Sequence, residues 1–150
     1  MRYYRIAAPE YAPDSSEGAR LYGGRWNSPG HAVIYACETC SGAMLEMLVH
    51  TAGRMPKQHV CVTFEAPRAL KVTTLNETDV PDWNLSDMIA SRAAGDAWLR
   101  AARTVVLRVP SVVFPVERNV LLNPAHRDFP RIKVVSVEPV RWDARLFPRR

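Results

Sequence analysis

The chain has 150 residues, 47% of them hydrophobic and 23% charged, with 12 prolines spread along its length. That length suits one compact domain over 1–150, and no apolar run approaches the about 20 residues that a bilayer-crossing helix needs, so a membrane role of that kind is excluded. The formal charge of +5 comes from 17 arginines against 3 lysines, a balance that suits phosphate, nucleic acid or an acidic protein surface, or simply reflects an arginine-rich coding bias.

The opening MRYYRIAAPEY has no apolar leader core, and Cys37, Cys40 and Cys61 are odd in number; both features point to a reduced, cytoplasmic protein. Next comes GARLYGGRWNSPG, whose Asn27, Pro29 and Gly30 would suffice for a hairpin turn. Gly23 and Gly24 add permissive backbone, and Arg25 adds a planar fork for phosphate or carboxylate. The stretch is therefore either an anion-binding loop or a structural turn anchored by Trp26. It is not a Walker loop, since no GxxxxGK[ST] is present.

His31–Ala36 (HAVIYA) reads as a short inner strand. ETCSGAMLEMLVHTAG then reads as a helix capped by Thr39 or Ser41 and stopped by Gly53. The Cys37/Cys40 pair has CxxC spacing that His50 or Cys61 could complete as a zinc site, yet no second CxxC or histidine pair follows. No metal is expected, and the thiols read as reduced and partly buried. HVCVTFEAP alternates and is β-branched, a strand ended by Pro67. NLSDMIASRAAGDAWLRAAR fits a second helix capped by Asn84 or Ser86, with Leu85, Met88, Ile89, Trp98 and Leu99 apolar and Gly95 weakening its middle. TVVLRVPSVVFPVERNVLLNP holds two or three strands broken by Pro110 and Pro115, and RIKVVSVEPVRWD supplies another. Helices among antiparallel-looking strands, without a βαβ rhythm, give an α+β fold with mixed or antiparallel sheets and a few helices.

Glu46 lies within AMLEMLV, a run so apolar that most of this helix surface should be buried. Its carboxylate then reaches the core rim or lines a cavity, or else shares a narrow polar stripe with His50 one turn on. Tyr35 either packs in the core or presents an aromatic face beside Glu46. Ser111 has no nucleophile elbow around it, so it either orients a ligand or satisfies local backbone. Asn119 and Asn123 are turn residues or ligand hydrogen-bonders, and His126 is equally open.

Taken in order, LYGGRWNSPG, VIYAC, AMLEMLVH, GDAWL, RVPSVVFPVERNVLLNPAH and WDARLF resemble the RES domain family, named for its Arg, Glu and Ser, which fall on Arg25, Glu46 and Ser111. The resemblance implies an ADP-ribosyltransferase-like fold and a bacterial toxin paired with an antitoxin that carries a helix-turn-helix DNA-binding domain. It also implies NAD as substrate, cleaved by hydrolysis or phosphorolysis or used for ADP-ribosyl transfer to a protein, so that growth stops. On this resemblance Glu46, Arg25 and Ser111 are catalytic, and Arg5, Arg25, Tyr35, Ser111 and Asn119 bind NAD. Arg5 matches a second family arginine, Tyr35 a family tyrosine beside the nicotinamide. A toxin homodimer is implied as well, with no direct nucleic-acid contact and no membrane. Two other classes compete: a basic toxin acting on RNA, which lacks an RNP motif, a lysine stripe and a catalytic histidine pair, and a non-catalytic module binding NAD or a partner.

Overall fold

The computed structural model describes residues 1–52, 54–55 and 58–147. Its strands are β1 (Arg2–Ala7), β2 (Ile34–Cys37), β3 (Val60–Glu65), β4 (Val72–Thr74), β5 (Val106–Pro110), β6 (Arg118–Leu122) and β7 (Lys133–Pro139). Three α-helices intervene: α1 (Glu17–Tyr22), α2 (Cys40–His50) and α3 (Ile89–Ala101). All seven strands form one sheet in the order β4-β5-β6-β2-β1-β3-β7. The β4–β5 pair is parallel and the rest are antiparallel, so the expected α+β fold is built on a single mixed sheet.

Strand alternation divides the core. On β6, Val120 and Leu122 join one cluster with Phe64 and Val106, while Leu121 between them joins Trp26, Leu107 and Trp98 in another. A third, smaller cluster of Ile6, Cys37 and Ala43 seats α2 on β1 and β2. β1, α1 and β4 carry no periodicity strong enough to assign from sequence; β1 is nonetheless central, pairing β2 on one side and β3 on the other.

Several expectations are corrected. The strand expected over His31–Ala36 runs from Ile34 to Cys37, so it starts later and takes in Cys37. Helix α2 starts as expected: Thr39 caps it by accepting from the Gly42 N–H at 2.9 Å. The expected stop, Gly53, lies outside the described residues. The face of α2 is less buried than its composition suggests, since only Ala43 is buried while Leu45 and Val49 are exposed. Helix α3 begins at Ile89, not at Asn84 or Ser86; Met88 precedes it at φ 59°, and the Ile89 N–H is met by Asp87 Oδ1. The reason is tertiary. Trp83 stacks on Trp26 with centroids 6.0 Å apart, and Arg25 Nη1 donates to the carbonyls of Trp83 and Leu85, which holds 83–85 out of a helix. Leu85 and Ile89, expected on the apolar face, are exposed.

Gly95 does more than weaken its helix. A Cβ there would fall on the Trp26 carbonyl, so glycine lets α3 touch the backbone of the 23–28 loop.

Candidate active site

Two cavities, about 640 and about 250 Å³, share Arg5, Tyr35, Glu46, His50 and Asn119 in their walls. The larger also reaches Gly24, Arg25 and Arg92, and its volume suits a small-molecule ligand. β1 supplies Arg5, β2 Tyr35, α2 Glu46 and His50, β6 Asn119, and α3 Arg92.

Glu46 is reached from two distant segments. Ser111 Oγ donates to its Oε1 at 2.8 Å and Asn119 Nδ2 donates to the same oxygen at 2.8 Å. Oε2 accepts nothing among the described residues, so one oxygen is held and the other is free beside the cavity. His50, one turn on from Glu46 along α2, is an exposed wall residue, and the hydrogen bonds to Glu46 come from Ser111 and Asn119 instead. Ser111 is 3% exposed and stands behind Glu46 rather than on the cavity wall; its Oγ also accepts from the Phe114 N–H at 3.2 Å. Asn119 is fixed at both ends, since its Oδ1 accepts from Cys37 Sγ at 3.2 Å.

The arginines follow a common pattern. Arg5 Nη1 donates to Ser15 O at 2.6 Å, Arg25 Nη1 to Leu85 O at 2.9 Å, and Arg92 Nε to Gly24 O at 2.9 Å. Each guanidinium is positioned by backbone carbonyls through one nitrogen, and none of the three meets a carboxylate among the described residues. Their remaining N–H groups are left for an anion. Burial pulls the Arg5 guanidinium below its ordinary value, with Asp14 opposing.

The Gly-Gly-Arg-Trp-Asn loop is both turn and cavity wall. Gly23 takes φ 71°, whereas Gly24 is needed for room: a Cβ there would stand 2.5 Å from the Tyr35 hydroxyl. Tyr35 donates to Asn27 Oδ1 at 2.7 Å and accepts from the Trp26 N–H at 2.9 Å, and burial raises its pKa. Asn27, fully buried, donates in turn to Ala19 O and His31 O. Helix α3 clamps the other side. Arg92 bonds Gly24 O, Gly95 admits Trp26, and Asp96 Oδ1 accepts from the Ser28 N–H at 2.9 Å. Positions 92, 95 and 96 are i, i+3 and i+4, one helix face. Sequence reasoning missed Arg92 and Asp96, and that spacing is the signal that could have found them.

The CxxC pair is split. Cys37 bonds Asn119, while Cys40 Sγ lies 3.4 Å from Cys61 Sγ. Asn123 and His126 are buried but serve local turns: Asn123 Oδ1 accepts from the Ala125 N–H, and His126 Nδ1 from the Asp128 N–H.

The chain matches the RES domain family over residues 2–143. It is 36% identical to the Prs ADP-ribosylating toxin of Sphingobium sp. (strain YBL2), across 96% of this chain and 95% of that protein. It is 35% identical to Toxin Res of Yersinia enterocolitica serotype O:8, across 97% of this chain and 99% of that one. A chain of the M. tuberculosis MbcT-MbcA toxin-antitoxin complex has a TM-score of 0.78 to it, over 93% of this chain and 83% of its own length, at 19% identity, which is a likeness of fold. The ordered motifs, the match over nearly the whole length and the two full-length relatives agree: this chain belongs to the RES domain family.

Proposed function

We propose that this chain is the toxin of a bacterial toxin-antitoxin pair, that its cavity takes NAD, and that Glu46 is the carboxylate at which the nicotinamide–ribose bond is cleaved. The observation that carries this reading is the half-held carboxylate. Glu46 keeps Oε1 on Ser111 and Asn119, while Oε2 accepts nothing among the described residues, on a cavity whose walls also hold Arg5, Arg25 and Arg92.

Breaking this bond builds oxocarbenium character at the anomeric carbon, and a fixed carboxylate stabilises that charge or holds the ribose hydroxyls without reorganising. Nicotinamide departs neutral from a cationic ring, so no strong acid is needed. Arg5, Arg25 and Arg92 bind the pyrophosphate through their unused N–H groups. Tyr35 lies against the nicotinamide. Ser111 and Asn119 act on Glu46. Water, inorganic phosphate or a protein side chain attacks the same carbon, giving hydrolysis, phosphorolysis or ADP-ribosyl transfer. The name of the Sphingobium relative supports the use of NAD by this site.

In this reading 1–150 works as one cytoplasmic domain, forms a homodimer, and is silenced by a cognate antitoxin with a helix-turn-helix domain. No described helix is long and apolar enough to cross a membrane.

The test is NAD loss and product identity by mass spectrometry, in buffer with and without phosphate, beside Glu46→Gln. Free ADP-ribose identifies hydrolysis, and ADP-ribose 1″-phosphate identifies phosphorolysis. Loss only when cell extract is added, with labelled protein, identifies transfer. Equal NAD consumption by wild type and Glu46→Gln overturns the assignment of Glu46, and thermal stabilisation by NAD with no turnover in any arm reduces the site to a binding module.

A further inference from the structure

Cys37 ends β2 directly opposite Asn119 on β6, so strand pairing sets their side chains next to each other. Cys37 is 5% exposed, and its Sγ donates to Asn119 Oδ1 at 3.2 Å. The far end of the same carboxamide, Nδ2, donates to Glu46 Oε1 at 2.8 Å. A carboxamide has nearly the same shape either way round, but only one orientation presents N–H to the carboxylate; the other sets oxygen against oxygen. A donor fixed at the Oδ1 end selects the useful orientation.

We propose that Cys37 is a positioning residue: its S–H holds the Asn119 amide in the orientation that donates to Glu46. This rests on Glu46 being the reacting carboxylate. Burial, with Glu46 and Glu117 adding to it, pushes the Cys37 thiol up to about 12, so it stays protonated and remains a donor. Through Asn119 the thiol limits the swing of Glu46, whose second restraint is Ser111.

The experiment compares Cys37→Ala, which removes the donor, with Cys37→Ser, which retains one. Readouts are kcat and KM for NAD consumption, melting temperature, and exchange of the Asn119 side-chain amide protons by NMR. Cys37→Ala lowers kcat about tenfold, as small misplacements of a reacting group do, and speeds Asn119 exchange. KM stays within about twofold, because substrate contacts are intact, and Cys37→Ser recovers most of both losses. Wild-type kcat and exchange in Cys37→Ala overturn the proposal. So does a Cys37→Ser variant no better than Cys37→Ala, which would assign the effect to packing. Should Cys37→Ala not fold, Cys37→Val fills the space without a donor and replaces it. If wild type consumes no NAD, or Glu46→Gln matches it, the reading of Glu46 fails, and the Asn119 exchange comparison still decides the role of Cys37.

Discussion

Replacing Gly95 with alanine sets two effects of opposite sign against each other. In a solvated helix interior the change stabilises by about 0.8–1 kcal/mol. In α3 the new Cβ would overlap the Trp26 carbonyl oxygen and stand 2.7 Å from its carbonyl carbon. Backbone cannot rotate aside, so the helix must back away from the loop. Overpacking of this kind costs about 1–3 kcal/mol. The same movement stretches the Arg92–Gly24 and Ser28–Asp96 hydrogen bonds, both 2.9 Å and both to charged side chains; weakening the pair adds about 2 kcal/mol. After the helix-propensity gain, the balance is a loss of about 2–4 kcal/mol, or about 5–15 °C in melting temperature for a domain of this size. Urea unfolding and calorimetry measure it, and the affinity for NAD should fall in parallel because Gly24, Arg25 and Arg92 shift together. Ala93→Gly, on the exposed face of the same helix, should lose only about 1 kcal/mol and leave binding alone. A Gly95→Ala protein as stable as wild type, or more so, would refute the idea that this helix is fitted to the loop.

Ser111→Ala removes one of two donors to Glu46 and the acceptor for the Phe114 N–H; kcat should drop at least tenfold, with a stability loss of about 1–3 kcal/mol by urea unfolding. Tyr35→Phe strips partners from Asn27 Oδ1 and the Trp26 N–H, costing about 1–3 kcal/mol, read as a lower melting temperature and weaker NAD binding. Arg92→Ala should raise KM for NAD about tenfold and lower kcat less, as loss of a binding contact does, and an unchanged KM would remove Arg92 from the anion site. Stability should fall in alkali. Burial raises the Cys37 thiol from an ordinary 9.0 up to about 12, and burial with Cys40 does the same for Cys61. Above pH about 9 the unfolded chain sheds protons that the folded chain keeps, so the stabilisation is complete below that pH and is lost as pH rises toward about 12. The Cys37 share is a slope of up to about 1.4 kcal/mol per pH unit, and Cys37→Ser should show a correspondingly shallower decline in urea unfolding between pH about 9 and about 10.

Local chemistry wrote much of this protein plainly. The Thr39 cap needs only a residue three positions on, and the unbroken apolar run Val120, Leu121 and Leu122 marks a strand buried on both faces. Arg25, Glu46 and Ser111 stood out because ordered motifs bracket each of them. Other features depend on partners far away in sequence. Helix α3 starts later than its apolar spacing predicts because Trp26 and Arg25, 57 and 60 positions before Trp83 and Leu85, draw that segment out of a helix. The apolar run around Glu46 promised a buried helix, yet the sheet covers only the side bearing Ala43. Glu46 meets Ser111 and Asn119 across 65 and 73 residues, and Cys37 joins them by strand register. Periodicity, caps and turns act over one or two turns of chain and are legible in residue order alone, along with the residue types the chemistry needs. Which oxygen of Glu46 is held and which is free, which arginines face the cavity, and why Gly95 must be glycine were decided only by tertiary structure, because each depends on where two separate backbones meet.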